Sequence, residues 1–290
     1  METINGYRRF YESALRLKKR ESSTISTYSG ELSKYEEWCG AEEVQTLTVH
    51  SARLYLGQVL DRSESQAFMA CRAIKSFGKW YAEEYDTANP FAGLRSVKQP
   101  DAKPQRTAKP SDVTALLGTC SGTDLRSLRD TAIIVLLATT GMRRSEVCRM
   151  RWTDFDPLTG ALTIPKTKTH KSRKVRISLD VLRAMKRYER ALDLCQRRDP
   201  DGFVWVSTTR PVPLTPNGLT QMVLERSRAA GVDVSAHSFR RGLAVEWLHQ
   251  DGSETYLKRF CGWTDGRMVS RYVDAVAEDE ALAEHERIFG

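Results

Sequence analysis

The sequence lacks the marks of several large protein classes. Its longest apolar run, from Ala132 to Ala138, is far too short to cross a bilayer, which takes roughly 20 residues. No secretory signal pattern opens the chain, so we expect a soluble, intracellular protein. The sequence contains no Gly-rich phosphate loop, no His-Glu-x-x-His motif and no paired acidic cluster. Nothing therefore points to a nucleotide site or to two-metal nuclease chemistry.

The cysteines form no ligand or disulfide pattern either. No Cys-x-x-Cys spacing occurs, and most of the cysteines lie within helical apolar patterns. We interpret them as small core residues of a protein in a reducing compartment. The six are Cys39, Cys71, Cys120, Cys148, Cys195 and Cys261.

Positive charge is unevenly distributed along the chain. Residues 1–95 contain 13 Lys/Arg and 13 Asp/Glu, so the net charge of +8 belongs entirely to residues 96–290. A basic excess confined to one region indicates a polyanionic partner there, although a solvated basic surface would give the same composition. Residues 96–110 combine prolines with lysine and arginine, which predicts a semi-rigid basic linker. A tether that also follows a phosphate backbone explains its charge better than an ordinary interdomain connection does.

Apolar spacing predicts a mainly α-helical chain in two parts. Residues 1–95 are predicted to be helical, with caps at Ser22 to Thr24 and with Asn89-Pro90 ending the last helix. From Ser111-Asp112 onward, helices are interrupted by short strands, which predicts a mixed α+β domain with a small sheet. The predicted strands are Ala161–Ile164, Lys174–Ile177 and Phe203–Val206, and the main helices of this part are Ser127–Thr140, Arg143–Met150, Leu179–Leu194, Thr215–Ala230, Ser238–Gln250, Ser253–Cys261 and the tail Ala277–Ile288.

Six residues with rings or positive charge carry the chemistry. His237 and Arg240 are three apart, so on a helix they would share one face. Two arginines, a histidine, a lysine and an indole around a tyrosine would make a cationic pocket with one possible nucleophile, as chemistry on a phosphodiester requires. The set is Arg143, Lys168, His237, Arg240, Trp263 and Tyr272.

The motifs around these residues resemble those of the tyrosine recombinase (phage integrase) family. Gly141-Met142-Arg143-Arg144-Ser145-Glu146 is similar to the family's first arginine box, and His237-Ser238-Phe239-Arg240-Arg241-Gly242 is similar to its second. Gly262-Trp263, followed nine residues later by Tyr272, resembles the closing motif. Most members carry histidine where this chain has Trp263, and tryptophan is a minority form, as in the Cre recombinase.

The resemblance implies a fold and a division into domains. It places a helical core-binding (SAM-like) domain at residues 1–95, the basic linker at 96–110 and the catalytic domain at 111–290. The helical domain begins almost at residue 1, so we expect a simple recombinase without an additional arm-binding domain.

The resemblance also implies roles for the six residues. Arg143 and Arg240 would hold the phosphate, because a planar guanidinium meets two oxygens at once. Tyr272 would be the nucleophile, and His237 would accept or share its proton. Lys168 would protonate the leaving 5′ oxygen, with Lys166 as the second candidate. Trp263 can donate one hydrogen bond but cannot take up a proton.

Further residues around this set are predicted from weaker sequence patterns. Glu146 would orient Arg143 or His237, although a surface ion pair of little value is the simpler interpretation. Other cations would contact the DNA backbone. They are Lys98, Lys103, Arg106, Lys166, Lys171, Arg173, Lys174 and Arg241.

The implied function is site-specific DNA recombination by a phage or mobile-element integrase. The strands would be exchanged through a 3′-phosphotyrosyl link and a Holliday junction by a homotetramer on double-stranded DNA, in the cytoplasm of a bacterial host at the nucleoid. Because the link conserves the bond energy, we expect no cofactor, neither ATP nor Mg²⁺. A Xer-like resolver of chromosome or plasmid dimers and a type IB topoisomerase are the alternatives, and an inactivated recombinase acting as a DNA-binding regulator is a third.

The choice between the two lysines can be tested. Lys168→Ala should slow cleavage by about 10²–10⁴, the usual contribution of a general acid. A substrate with a better 5′ leaving group should restore the rate, because it does not need the proton. Cleavage rates on both substrates measure the effect, and rescue of Lys166→Ala instead would move the role to Lys166.

Overall fold

The computed structural model divides into two compact units, Met1–Lys103 and Pro104–Gly290, here called the N-terminal and C-terminal units. The chain is described at residues 4–100, 106–165, 172–263, 269–270, 282 and 285–289.

The N-terminal unit is helical, as predicted. Its core is aromatic, since Phe77 and Trp80 are almost fully buried and both rings contact Tyr11. The helices are α1 (Ile4–Leu17), α2 (Ser22–Ala41), α3 (Val49–Arg62) and α4 (Glu64–Tyr85).

Two helix ends in this unit are formed by residues other than the predicted ones. The helix α2 starts after Glu21 and has no side-chain cap, so Ser22 to Thr24 lie inside it. The helix α4 stops at Tyr85, before Asn89-Pro90, because Asp86 takes the left-handed conformation with φ 48°. Aspartate tolerates this conformation better than most residues, so it can end a helix without proline.

The C-terminal unit is mostly helical with one small sheet, which confirms the predicted fold class. The sheet is antiparallel in the order β1-β2-β3, with Leu162 opposite Val175. Its elements in chain order are α5 (Pro110–Gly118), α6 (Leu125–Thr140), α7 (Arg144–Arg149), a 3₁₀ turn (Trp152–Asp154), β1 (Phe155–Asp156), β2 (Ala161–Ile164), β3 (Arg173–Arg176), α8 (Leu179–Leu194), α9 (Pro216–Ala230), α10 (Ala236–His249) and α11 (Glu254–Cys261).

One predicted strand is absent. The segment Phe203 to Val206 forms only two isolated bridges, Arg151 with Phe203 and Val206 with Pro213. Its apolar residues are nevertheless buried, with Val204 and Trp205 both at 0% exposure. A short apolar run signals burial but does not specify the partner that a strand needs.

The helix α6 lies in the core of the C-terminal unit and is fixed by a buried charge network. Asp130, fully buried, accepts hydrogen bonds from Arg129 at 2.7 and 3.0 Å and from Arg226 of α9 at 2.9 Å. A buried carboxylate is tolerated because it is paired on both oxygens. At its C-terminal end, Gly141 takes φ 55° and terminates the helix, as predicted.

The chain segment before α5 is fastened to α10. The amide of Ala108 donates to the carbonyl of Ser238 at 3.0 Å, and Arg241 Nε donates to the carbonyl of Arg106 at 2.9 Å. Gly242 faces this crossing, where a Cβ would lie 2.1 Å from the Ala108 carbonyl oxygen. The backbones therefore approach at a distance that only glycine allows.

The start of α5 differs in detail from the prediction. The helix begins at Pro110, and Asp112 accepts the Lys109 amide at 3.0 Å. Asp112 thus caps the helix from its third position, while Ser111 lies within the first turn.

Two other expectations concern features that the described residues cover only in part. Of the predicted tail helix Ala277–Ile288, residues 282 and 285–288 are described and helical. Among the described residues, no helix combines the length and apolar character that crossing a membrane requires.

The crossing at Gly242 makes a stability prediction. Gly242→Ala should lower the free energy of unfolding by about 1–3 kcal/mol, the usual cost of overpacking, because the new methyl group overlaps the Ala108 carbonyl. Denaturant unfolding measures the change. Gly118→Ala is the matched control, since a Cβ at Gly118 meets nothing within 4 Å. Equal stability of the two variants would contradict the close approach.

Candidate active site

The turn between α6 and α7 positions Arg143. After Gly141 ends α6, Arg143 occupies the N-cap position of α7 in extended conformation. Its side chain remains 28% exposed, so the guanidinium can reach a ligand. The motif that was identified in the sequence as an arginine box is thus a helix-end, helix-start turn that presents one cation.

Glu146 fixes this turn. Its Oε2 accepts the Arg143 amide at 2.8 Å and its Oε1 accepts Arg143 Nη1 at 3.1 Å. The side chain of Glu146 is only 2% exposed, so the simpler prediction of a surface ion pair is wrong. The contact that Glu146 makes is with Arg143, and no described hydrogen bond joins it to His237.

Arg173 is hydrogen-bonded to the same carboxylate from the other side. Arg173, the first residue of β3, donates from Nη1 to Glu146 Oε1 at 2.9 Å and from Nη2 to Oε2 at 2.8 Å. This is the parallel two-bond geometry that makes guanidinium–carboxylate pairs strong and directional. The pair joins the sheet to the start of α7.

The helix α10 supplies both His237 and Arg240, because it begins at Ala236, two residues before the predicted start. Arg240 is 2% exposed and donates from Nη1 to the Gly141 carbonyl at 2.7 Å and from Nη2 to the Cys261 carbonyl. It is therefore anchored to the ends of α6 and α11. His237 lies one turn earlier, and its residue surface is exposed.

Trp263 comes directly after Gly262, which ends α11 with φ 66°. The indole is 7% exposed, and its ring centroid lies 5.1 Å from Cζ of Arg240. A guanidinium at this distance from an indole face is attracted by the ring quadrupole. The third motif of the sequence is thus brought against the second, which supports the prediction that the two act in one site.

The charges at this site are strongly perturbed. Burial lowers the pKa of the Arg240 guanidinium to about 10, so the group stays charged near neutral pH. Burial alone would raise the pKa of Glu146, but the hydrogen bonds and charge of Arg173, followed by those of Arg143, lower it to about 2. Arg173 and Arg143 share one carboxylate and Arg240 adds a third positive charge, so the described site carries a net positive charge suited to an anion.

The same positive charges disfavour the charged form of His237. Partial desolvation, followed by the charges of Arg241, Arg240 and Arg143, lowers the pKa of the imidazole below its ordinary 6.5. The ring is thus mainly neutral at pH 7 and can accept a proton. A neutral histidine among cations is what a proton acceptor for a phenol requires.

Several predicted site residues lie outside the described part of the chain. They are Lys103, Lys166, Lys168, Lys171 and Tyr272. The nucleophile and the general acid therefore stay predictions.

The remaining predicted DNA-contacting cations divide into two groups. Lys98 and Lys174 are exposed, as a backbone contact requires. Arg106 pairs with Asp112 at 3.1 Å, and Arg241 is half-buried and holds the Arg106 carbonyl. Arg173 departs furthest from the prediction, since its side chain is 8% exposed and faces Glu146 instead of solvent.

Sequence reasoning missed the inward orientation of Arg173. A signal was present in the period-two alternation of β3, where Val175 is buried and Lys174 and Arg176 are exposed. Arg173 shares its face with Val175, so it belongs to the inner side of the strand. The density of positive charge in this stretch concealed the alternation.

The sequence matches the model of the phage integrase family over residues 106–279. A tyrosine recombinase XerC of Anoxybacillus flavithermus is 26% identical, over 86% of this chain and 86% of the relative. A tyrosine recombinase XerA of Pyrococcus furiosus is 26% identical, over 81% of this chain and 78% of the relative. The integrase of Enterobacteria phage 434 is 21% identical over 94% of this chain and 76% of its own length.

Solved structures share the fold. A lambda integrase dimer (residues 75–356) bound to a core site has a TM-score of 0.66 at 17% identity and covers 92% of this chain and 97% of its own. The integrase of the Tn1549 transposon in complex with transposon right end DNA has a TM-score of 0.67 at 17% identity, over 98% and 99% of the two chains.

The charge environment of His237 predicts its titration. An NMR titration should give a midpoint below 6.5, because desolvation and three guanidinium groups disfavour the imidazolium. His237→Gln identifies the resonance. Arg241→Ala should move the midpoint upward by removing one of the positive charges. A midpoint at or above 6.5 in the unmodified protein would rule out this environment.

Proposed function

The chain belongs to the phage integrase family, and from this premise we propose that it exchanges DNA strands with Tyr272 as the nucleophile. The phenol oxygen attacks the scissile phosphate and forms a 3′-phosphotyrosyl bond, and the 5′ oxygen leaves as a hydroxyl. That hydroxyl then attacks the phosphotyrosyl bond of a partner duplex. Two such rounds pass through a Holliday junction.

The observation that carries this proposal is the convergence of Arg143, Arg240 and His237. Arg143 comes from the start of α7, while the other two come from α10. Attack on a phosphodiester builds negative charge on the non-bridging oxygens, and pre-oriented guanidinium groups stabilise it. Arg240 is oriented by two backbone carbonyls before any ligand binds, so little reorganisation accompanies the reaction.

Proton transfer is divided between two groups. His237, whose pKa is lowered, accepts or shares the proton of Tyr272, since a phenol is a poor nucleophile until it is deprotonated. Lys168 delivers a proton to the leaving 5′ oxygen. Trp263 supports Arg240 through its ring face and takes no part in acid–base chemistry, because an indole N–H only donates.

We assign DNA binding to both parts of the chain. Residues 1–95 form the core-binding domain, residues 111–290 the catalytic domain and residues 96–110 a basic linker that follows the phosphate backbone. Exposed Lys98 and Lys174 suit backbone contacts. A lambda integrase tetramer bound to a Holliday junction has a TM-score of 0.66 to this chain, which supports a homotetramer as the acting form. The tail, with Ile288 and Phe289 more than half exposed, is a candidate contact between protomers.

The biological task that we favour is integration of a phage or mobile element. Xer-type members resemble the form of this motif that carries histidine, whereas this chain carries Trp263. The Xer-type alternative is retained because XerC and XerA relatives match most of the chain. A resolving recombinase acts on two identical sites, whereas an integrase joins two different sites, so the pair of substrate sites distinguishes them.

Covalent trapping tests the nucleophile and the substrate together. The protein is incubated with fragmented genomic DNA of its source organism, the covalent complexes are captured after denaturation, and the attached DNA is sequenced. We expect a small set of sites and a nucleotide-modified peptide containing Tyr272. Tyr272→Phe should bind the same DNA, with affinity that falls steeply with salt, and should yield no covalent complex.

The controls separate the alternatives. Retained trapping by Tyr272→Phe would remove this residue from the mechanism. Recombination between two different trapped sites supports the integrase, and recombination only between two copies of one site supports the Xer-type task. Relaxation of supercoils by a monomer without a partner site would instead favour the type IB topoisomerase alternative.

A further inference from the structure

We propose that Arg173 is a positioning residue of the active site, which holds Glu146 and thereby sets the orientation of Arg143. This role rests on the proposed function, because it requires Arg143 to bind the scissile phosphate. It differs from the DNA-backbone contact that the basic composition of this stretch predicts.

The carboxylate of Glu146 is hydrogen-bonded to Arg173 and Arg143 at the same time. Both oxygens of Glu146 are shared, since each accepts one nitrogen of Arg173 at 2.8–2.9 Å and one nitrogen of Arg143 at 2.8–3.1 Å. Only a carboxylate held in one rotamer can satisfy both partners. Loss of Arg173 leaves Glu146 with bonds from one side, so the carboxylate and the Arg143 side chain gain freedom together.

The side chains of Arg173 and Glu146 are both buried. The side chains of Arg173 and Glu146 are 8% and 2% exposed, so their pairing is shielded from solvent. Arg173 would have to break this pair in order to reach a phosphate on the surface. Leaving Glu146 buried without its main partner is costly, so the guanidinium stays on the carboxylate.

Arg173 also contacts a second part of the site, the turn at the end of α11. A Cβ on Gly262 would lie 3.1 Å from Arg173 Nη1, so the guanidinium packs against the turn that precedes Trp263. Arg173 also opens β3, two residues after the segment 166–171 that carries both candidate lysines. One side chain of the strand that follows the lysine segment therefore contacts both the α11 turn and the start of α7.

The decisive experiment compares Arg173→Met with Arg176→Met. Both arginines lie on β3, but Arg176 is exposed, and among the described residues its side chain donates to the Thr159 carbonyl at 3.3 Å. Two quantities are measured for each variant on a trapped site: the DNA dissociation constant over a range of salt, and the rate of covalent-complex formation at saturating DNA.

We expect Arg173→Met to lower the cleavage rate about 10–100-fold, the size of effect that supporting residues and small misplacements produce. Its DNA affinity and salt dependence should match those of Arg176→Met, whose cleavage rate stays near that of the unmodified protein. If Arg173→Met instead weakens DNA binding, reduces the salt slope by about one and cleaves normally at saturation, Arg173 is a phosphate contact and the proposal is wrong.

Coupling to Glu146 supplies an independent test. Glu146→Gln and Arg173→Met should each slow cleavage, and the double variant should be little slower than the slower single one, because the two act as a unit. Multiplicative losses would overturn the proposal. Arg173→Lys should recover part of the rate, since it retains the charge but not the two-bond geometry, and it carries the test if the methionine variant does not fold.

A pH profile separates positioning from general loss of structure. The described charged and titratable groups that act on Glu146 are Arg173, Arg143, Arg240 and Cys261. Burial raises the pKa of Glu146 and Arg173 is the main group that lowers it, so the pKa of Glu146 should rise in Arg173→Met. Cleavage by that variant should therefore fall on acidification at a higher pH than in the unmodified protein. Parallel profiles would count against the role.

The outcomes distinguish this proposal from the function on which it rests. If Tyr272→Phe still forms the covalent complex, the proposed function fails. If Tyr272→Phe is inactive while Arg173→Met cleaves at the unmodified rate, the proposed function stands and only the role of Arg173 fails.

Discussion

The active site depends on one buried cation that bridges two helix ends. Arg240 donates to the carbonyls of Gly141 and Cys261, which lie at the C-terminal ends of α6 and α11. Both helices end at a left-handed glycine, and helix C-termini carry partial negative charge. The bridge compensates a guanidinium that is almost fully buried. It also brings the turn that carries Arg143 and the turn that carries Trp263 to the same helix, α10.

The site is therefore built from junctions between elements. Arg143, Arg173 and Trp263 each lie at the first or last residue of a helix or strand or directly beside it. Such positions are fixed by hydrogen bonds to neighbouring segments, which is why Glu146 and the carbonyl of Gly141 matter as much as the cations. In this member of the phage integrase family, the buried Arg240 guanidinium is thus held in place by backbone carbonyls of the protein itself.

Much of this arrangement could be predicted from the sequence, and the failures have a common cause. Helical spacing predicted α10, and the motifs identified Arg143, His237, Arg240 and Trp263, which the structure brings into one region. Local patterns failed where a distant partner decides the outcome. Arg173 faces inward because Glu146, 27 residues earlier, accepts its guanidinium, and Phe203 to Val206 is buried without forming a strand. Spacing within a segment carries no information about such partners.

The fastening of the chain at Arg106 and Ala108 to α10 has a mechanical consequence. The two attachment points, Ser238 and Arg241, flank Arg240 on the same helix, and Ser238 follows directly after His237. The segment before α5 is therefore connected directly to the backbone of the helix that carries Arg240, and α5 is not needed for this connection. We therefore expect a change in the length of the segment before Ala108 to alter the orientation of Arg240.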